Sequence, residues 1–446
     1  MRRFTPLAMG ALMALGAAST AQAQSLLELY EAARGYDANY LAARALAESA
    51  QYRTDQAHAL RRPNVGVSAT VGHSTNETPV QDLTSRAGSG GISATQTLFN
   101  RANDKAIAQA DTSLDVARAD LQIAEQDLIV RLSQAYFDVL AAQDTLATAQ
   151  ANKNGISEQL ASAKRNFEVG TATITDTREA QARFDLATAQ VIAAENDLLT
   201  KRIVLDQQVG RSGVQPHPLA VPVALPPVMP DNVDAWVAQV EDSPQVRRAR
   251  AAHEIARLET EKAQAGRLPV VDLSASYGRG RLSNDGWSAG PGGAKNPFDY
   301  SGSTTQSNIG VTLRMPLYAG NAIQNRVKET VLLEEQSRNN LEAARRGTAQ
   351  ATRQVFSTAQ SVRAQVMALE AAESSSQLAL EATQTGYRVG VRVNLDVLNA
   401  QTQLFSTRRD LARARYDVLL AHLRLEQAAG TLTADDVTQL NRLLAR

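Results

Sequence analysis

Two stretches constrain this chain's fold most: "NFEVGTATITDTREAQ" at 166–181 and "GYRVGVRVNLDVLNAQ" at 386–401. Each breaks a long helical pattern at Val-Gly and lets it resume at once. Gly170 and Gly390 suit the position just past a helix end, where the backbone turns left-handed. Asp176, with Glu179 three residues on, spells a capping box for the restarting helix, and Asp396 can cap likewise. Two such stops in one chain point to a repeated unit.

Other segments repeat in the same order. "RRPNVGVSATVG" (61–72) matches "GRLPVVDLSASYG" (266–278), and "GISATQTLF" (91–99) matches "GVTLRMPLY" (310–318). With the turns, the offsets are 206, 219 and 220 residues. Nearly all of the drift falls in one Gly/Ser/Asn-rich stretch, 278–308, expected to be a long loop. Six prolines crowd into 216–230, which predicts an extended linker between two halves. The expected organisation is a leader at 1–23, a first strand/helix repeat at 24–209, a Pro-rich linker at 210–231, a second repeat at 232–430 and a short C-terminal helix at 431–446.

Each half opens with a helix, about 25–60 and 232–266. Two alternating strands follow, 63–73 with 90–99 and 269–279 with 307–318. Val65, Val67, Ala69 and Val71 share one face, as do Val271, Leu273, Ala275 and Tyr277. A helical stretch of about 70 residues comes next, 100–169 and 320–386, then a shorter helix. Its 3-4 spacing predicts coiled-coil seams through Ala110, Leu114, Ala117, Leu121, Ala124 and Leu128, and through Ala351, Val355, Thr358, Val362 and Gln365. Seventy helical residues extend roughly 100 Å, more than a globular core requires. Four strands cannot close a barrel, while three copies supply twelve, an even number of bilayer-length strands. A soluble sheet laid on helices is the other reading of the same residues.

Composition narrows the class. Formal charge balances, with 46 basic and 46 acidic residues, so no basic field for nucleic acid exists. No cysteine is present, which excludes disulfides, thiolate metal sites, a cysteine nucleophile and a lipid-anchored N-terminal cysteine. The five histidines are scattered, and no catalytic, metal or cofactor constellation stands out. Residues 1–23 combine Arg2 and Arg3, an apolar run and Ala21-Gln22-Ala23, the pattern of a secretory signal peptide. Soluble periplasm and outer membrane both remain open from this.

The twin "F/Y-x-V-G-…-D" turns, "AYFDVLAAQDTL" (135–146), "RLPVVDLSASYG", "MPLYAGN" and "DVLNAQTQLFSTRRDLARARYDVLLAHLRLEQAAGTL" (396–432) together resemble the TolC-type outer-membrane efflux channels, over essentially all of the mature length. The resemblance implies a mainly helical, internally duplicated protomer with four transmembrane strands. It would trimerise into a 12-stranded β-barrel with a periplasmic α-barrel. The implied function is an outer-membrane exit duct for efflux or type I secretion, met by a periplasmic adaptor and an inner-membrane transporter. The family includes lipid-anchored members, and a chain without cysteine would not be one.

The same resemblance assigns roles at the turns. Tyr387 and Arg392 match positions that latch the closed state by reaching Thr175 and Asp176 on the facing hairpin. Two acidic positions line the family's narrowest point. Asp396 matches the first, but the second falls on Asn399, leaving one ring of three carboxylates in a trimer and a weakened cation preference. Tyr277, Tyr318 and Phe99 near strand ends, and Trp287, Phe298 and Tyr300 in the 278–308 stretch, are candidate interfacial or outside-facing aromatics. Competing classes are a periplasmic adaptor and a non-transporting coiled-coil scaffold. The first would carry one hairpin rather than two, and the second would not need four alternating strands. Enzyme activity has no residues to carry it.

Overall fold

The computed structural model describes residues 24–220 and 225–445, so the leader expected at 1–23 lies outside the described residues. The chain forms two compact units. One takes Ala45–Asp120 and Arg247–Ala344, and the other holds Leu121–Val246 with the segments before Arg44 and after Arg345.

The first of these is built on one antiparallel sheet in the order β1 (Asn64–Thr78), β2 (Gln81–Phe99), β3 (Val270–Ala289) and β4 (Lys295–Arg314). The strands are far longer than expected. Residues 74–89, between the expected strands, and 278–308, expected as a loop, instead continue the ladder, to a tight turn where Thr78 pairs with Gln81 and to a short loop at 290–294 where Ala289 pairs with Lys295. Trp287, Phe298 and Tyr300 therefore lie on strands, while Tyr318 lies beyond the end of β4. The small residues that suggested a loop divide between the two faces of the sheet, Gly278, Gly280 and Gly302 on one and Ser283, Ser301, Ser303 and Ser307 on the other. Asn64, Gly66, Ser68 and Thr70 alternate with Val65, Val67, Ala69 and Val71, and the same polar face gathers Ser89, Ser93, Ser276 and Gln306 around a concavity of about 330 Å³. The opposite face carries Ile92, Leu273, Ile309, Val311 and Leu313 in register with the valines of β1. Val71 is 91% and Ile309 81% exposed, so this apolar face has no cover among the described residues.

Helices join the strands at one end only. These are α2 (Ala38–His58), the start of α3 (Arg101–Glu168), α6 (Pro244–Ala265) and the start of α7 (Ala322–Arg388). They are tied by the Lys105–Glu261 ion pair, by Arg326 to Glu259 at 2.8 Å and by Arg61 to Asp104 at 2.7 Å. Two helices expected as single are divided. The first splits at Gly35-Tyr36-Asp37 into α1 (Leu26–Arg34) and α2, and the other splits before Pro244 into α5 (Val233–Gln239) and α6, because proline is tolerated only in a first helical turn.

In the second unit, α3 and α7 pack with α4 (Ile174–Val209), α8 (Asn394–Ala429) and α9 (Ala434–Asn441). Its largest core joins Leu26, Leu29, Leu132, Tyr136, Leu205 and Leu419. The expected α3 seam is buried at Leu128 and runs on through Ala135, Val139 and Ala142, also buried. On α7 the fully buried positions lie one residue on, at Thr352, Phe356, Ala359 and Val366; Ala351, Thr358 and Gln365 are exposed, while the expected Val355 and Val362 stay half-buried against the core. Phe356 decides the phase, since burying its ring outweighs burying an alanine or threonine. The described start of the proline segment is stitched in place. Gln24 N–H bonds Gln215 at 2.7 Å, Ala445 N–H bonds Pro218 at 2.8 Å, and the buried Tyr136 hydroxyl donates to the His217 carbonyl at 2.9 Å.

Candidate functional site

Both turns close in the same way. Helix α3 ends at Glu168, Gly170 takes φ +78°, and the N–H groups of Thr171 and Ala172 both bond to the Asn166 carbonyl, at 2.8 and 3.1 Å. Helix α7 ends at Arg388, Gly390 takes φ +82°, and the N–H groups of Val391 and Arg392 both bond to the Gly386 carbonyl, at 3.0 and 3.2 Å. A left-handed glycine with these back-bonds satisfies carbonyls that the ended helix leaves open.

The restarts differ, and both correct the expected capping. Thr173, not Asp176, is the N-cap of α4. Its hydroxyl accepts the Asp176 N–H at 3.2 Å, while Asp176 Oδ2 accepts the Thr173 N–H at 2.9 Å and hydroxyl at 2.8 Å. Asp176 is thus the far member of the box, three residues after the cap. Val393 stands at the N-cap of α8 and has no oxygen to offer. Asp396 caps nothing and instead faces Arg392 at 3.5 Å. Asn394, the first residue of α8, is 3% exposed, and neither atom of its amide has a partner among the described residues.

The structure brings the two turns together, though through other atoms than expected. Asn166 Nδ2 donates to the Tyr387 hydroxyl at 3.3 Å, linking the end of α3 to the end of α7. Tyr387 packs on Leu380, Val397 and Leu404. Within the single chain, Tyr387 meets Asn166 and Arg392 meets Asp396; neither meets Thr175 or Asp176. Gly386 makes room for Arg392, whose Cγ would lie 2.8 Å from a Cβ there. One turn of helix on from Asp396, Asn399 is exposed and its Oδ1 accepts from Arg183 of α4 at 2.9 Å. Arg183 and Asn399 are 216 residues apart, and nothing local in the sequence pairs them. Gln401 is buried against Gly155 of α3, where a Cβ would sit 1.8 Å from its Nε2.

Farther along α8 lie buried polar groups. Tyr416 donates to Asp144 at 2.7 Å, and burial pushes both the phenol and the carboxyl up. His422 stands 3.3 Å from Glu426, whose hydrogen bond holds the imidazole above its ordinary value. Among the described residues no His/Cys/Asp/Glu group could hold a metal ion, and no helix is long and apolar enough to cross a membrane.

Known proteins share both sequence and fold. Residues 13–211 and 238–431 match the family model described as "Outer membrane efflux protein", so the duplication coincides with two matched segments. The chain is 31% identical to Outer membrane protein TolC of Vibrio cholerae over 99% of this chain and 98% of that one. It is 30% identical to Outer membrane protein TolC of Escherichia coli, over 100% and 90% respectively. Alkaline protease secretion protein AprF of Pseudomonas aeruginosa is 32% identical over 75% of this chain and 66% of its own. The fold resembles the crystal structure of the Vibrio cholerae outer membrane protein VceC, with TM-score 0.76 over 91% of this chain and 96% of that one at 20% identity. It also resembles the open state of the Neisseria gonorrhoeae MtrE outer membrane channel, with TM-score 0.71 over 92% and 91% at 19% identity. The chain belongs to the outer membrane efflux protein family, and within it to the TolC type: an outer-membrane channel for efflux or secretion that reaches into the periplasm.

Proposed function

We propose that three copies of this chain close one conduit, gated where the turns at Gly170 and Gly390 meet. The observation that carries the trimer is the sheet. Strands β1 and β4 each have a partner on one side only, so each protomer offers two long unpaired edges. Joining β4 of one copy to β1 of the next satisfies both edges, and three copies give twelve strands. The uncovered apolar face then meets lipid, and the serine- and glycine-rich face lines the lumen.

The gate comprises Thr175, Asp176, Tyr387 and Arg392. The Asn166–Tyr387 bond supports it, because it brings the two turns together inside one protomer. Asp176 spends Oδ2 on its helix cap and keeps Oδ1 for a neighbour. Arg392 is 61% exposed in its pair with Asp396, and such a surface pair is worth only about 0.3–0.5 kcal/mol, so Arg392 can exchange it for a carboxylate of an adjacent copy. Asp396 contributes the ring of three carboxylates at the constriction. Asn399 follows it, and its amide is held by Arg183, a cation that lowers the negative field beside the ring. A periplasmic adaptor and an inner-membrane transporter engage this end and supply the cargo.

The outer-membrane fraction should contain an SDS-resistant trimer that falls to monomer on heating; a soluble monomer overturns the assembly. In planar bilayers, Arg392→Ser should raise single-channel conductance several-fold. Conductance equal to wild type would remove Arg392 from the gate. Asp396→Ala should abolish block by trivalent cations, and block that persists moves the constriction elsewhere.

A further inference from the structure

On β3 the apolar face of the sheet changes character partway along the strand. Along β3 its residues are Val271, Leu273, Ala275 and Tyr277, and then Arg279 and Arg281. The stretch 270–278 has the length a tilted strand needs to cross a bilayer, about 9–11 residues. Helices join the strands at the Val270 end, the periplasmic side, so Arg279 and Arg281 emerge at the outer leaflet. Both are exposed, and neither has an ion-pair or hydrogen-bond partner among the described residues. Arg86, on the neighbouring strand, is already taken by Asp285 at 3.3 Å.

Their surroundings form a shallow notch. On β2, Gly90 pairs with Arg279 and Gly88 with Arg281, so no side chain stands beside either guanidinium on that flank. On β4, Thr305 pairs with Arg279 and Ser303 with Arg281, which sets two hydroxyls on the other flank. Residues two apart on a strand lie about 6.6–7 Å apart, within reach of one phosphorylated headgroup. The ligand this fits has acyl chains to lie on Val271, Leu273 and Tyr277 and a phosphate at the boundary above them. Guanidinium forks bind phosphate in bidentate fashion, and the serine and threonine hydroxyls can donate to its remaining oxygens.

We propose that Arg279, Arg281, Ser303 and Thr305 form a binding site for the phosphorylated glycolipid of the outer leaflet, a lipid A phosphate, once per protomer. The inference rests on the outer-membrane placement and is independent of the gate at the tip.

The test uses the full chain purified as its trimer in a neutral detergent. Melting of the SDS-resistant trimer and native mass spectrometry are followed during titration with diphosphoryl lipid A, phosphatidylglycerol, phosphatidylcholine and inorganic phosphate. Diphosphoryl lipid A should bind and raise the melting temperature. With each membrane-surface arginine worth about a factor of five, the Arg279→Ser/Arg281→Ser double variant should bind it roughly thirtyfold more weakly. Arg279→Lys/Arg281→Lys should retain most of the affinity, and its trimer band reports that the sheet has folded. Arg314→Ser, at the helix-joined end on the polar face, should bind as wild type. Unchanged binding by the Ser/Ser variant overturns the site. Equal binding of phosphatidylglycerol, or equal protection by inorganic phosphate, overturns the glycolipid assignment.

Discussion

The two turns are copies that have drifted apart, and the difference lies in how each helix restarts. In the first, Thr173 and Asp176 satisfy one another and the opening N–H groups of α4. In the second, Val393 takes the place of Thr173, so α8 starts without a side-chain cap, and Asn394 lies buried without a partner where the first turn has Ile174. A missing cap costs about 1 kcal/mol and a buried unpaired amide about 1–3 kcal/mol. The first hairpin is therefore the firmer and the second the one held open to change. Candidate gate residues follow the same division. Asp176 is fixed by its own helix, whereas Tyr387, Arg392 and Asp396 sit on the looser hairpin.

The largest effect should come from what the turns share. Gly170→Val and Gly390→Val each force a β-branched residue into a left-handed backbone at about 1–2 kcal/mol or more. Either change should expose its turn to limited proteolysis; resistance equal to wild type would show that the left-handed glycine is dispensable. Exchanging the caps comes next. Thr173→Val should destabilise the first turn of α4 by about 1 kcal/mol, and Val393→Thr should stabilise α8 by up to as much. Amide exchange at residues 173–176 and 393–396 reads both, and Val393→Thr channels should open less often in bilayers. No change in either would make the asymmetry inconsequential.

Charge gives a smaller contrast. Asn399→Asp sets a carboxylate against Arg183 and should move the reversal potential toward cations, more so in an Arg183→Gln background. An unmoved potential would take Asn399 off the pore. The smallest effect lies farther along α8, where His422 stands at the place α4 gives to Arg202. Glu426 raises the His422 pKa, so the folded state binds this proton more tightly than the unfolded state. The stability it contributes is fully present below its ordinary 6.5 and is lost as pH rises through the raised value. Thermal melts of wild type and His422→Gln should therefore differ most at pH 6 and converge as pH rises past the raised value.

The repeat, the turns and the bilayer-crossing part of each strand were legible because each has a local signature: Val-Gly with a later carboxylate, or alternation over several residues. Where local signatures compete, sequence and structure part. Asp176–Glu179 and Thr173–Asp176 both fit the capping pattern, and only backbone geometry separates them. The upper strands hid because alternation of apolar with polar residues on β3 ends at Tyr277, so 278–308 looks like a loop although all of it but 290–294 is paired. The α7 seam shifted by one residue because its heptad positions hold small residues and one aromatic decides the phase. Arg183 was invisible for a simpler reason: its partner Asn399 lies 216 residues away.

Those upper strands change what the outside world meets. Strand β3 runs on to Ala289, with Lys295 stacked 4.1 Å over Trp287 near the hairpin tip. Anything that recognises the cell here, an antibody or a phage fibre, meets a stiff sheet rather than a floppy loop. Its footprint is discontinuous, taken from alternate residues on adjacent strands, and should vanish when the protein is boiled. On the β3–β4 hairpin, an inserted peptide tag has a natural entry at Gly292–Gly293, where positive φ angles mark the end of the ladder. Placed a few residues to either side, the same tag would break strand pairing instead of decorating it.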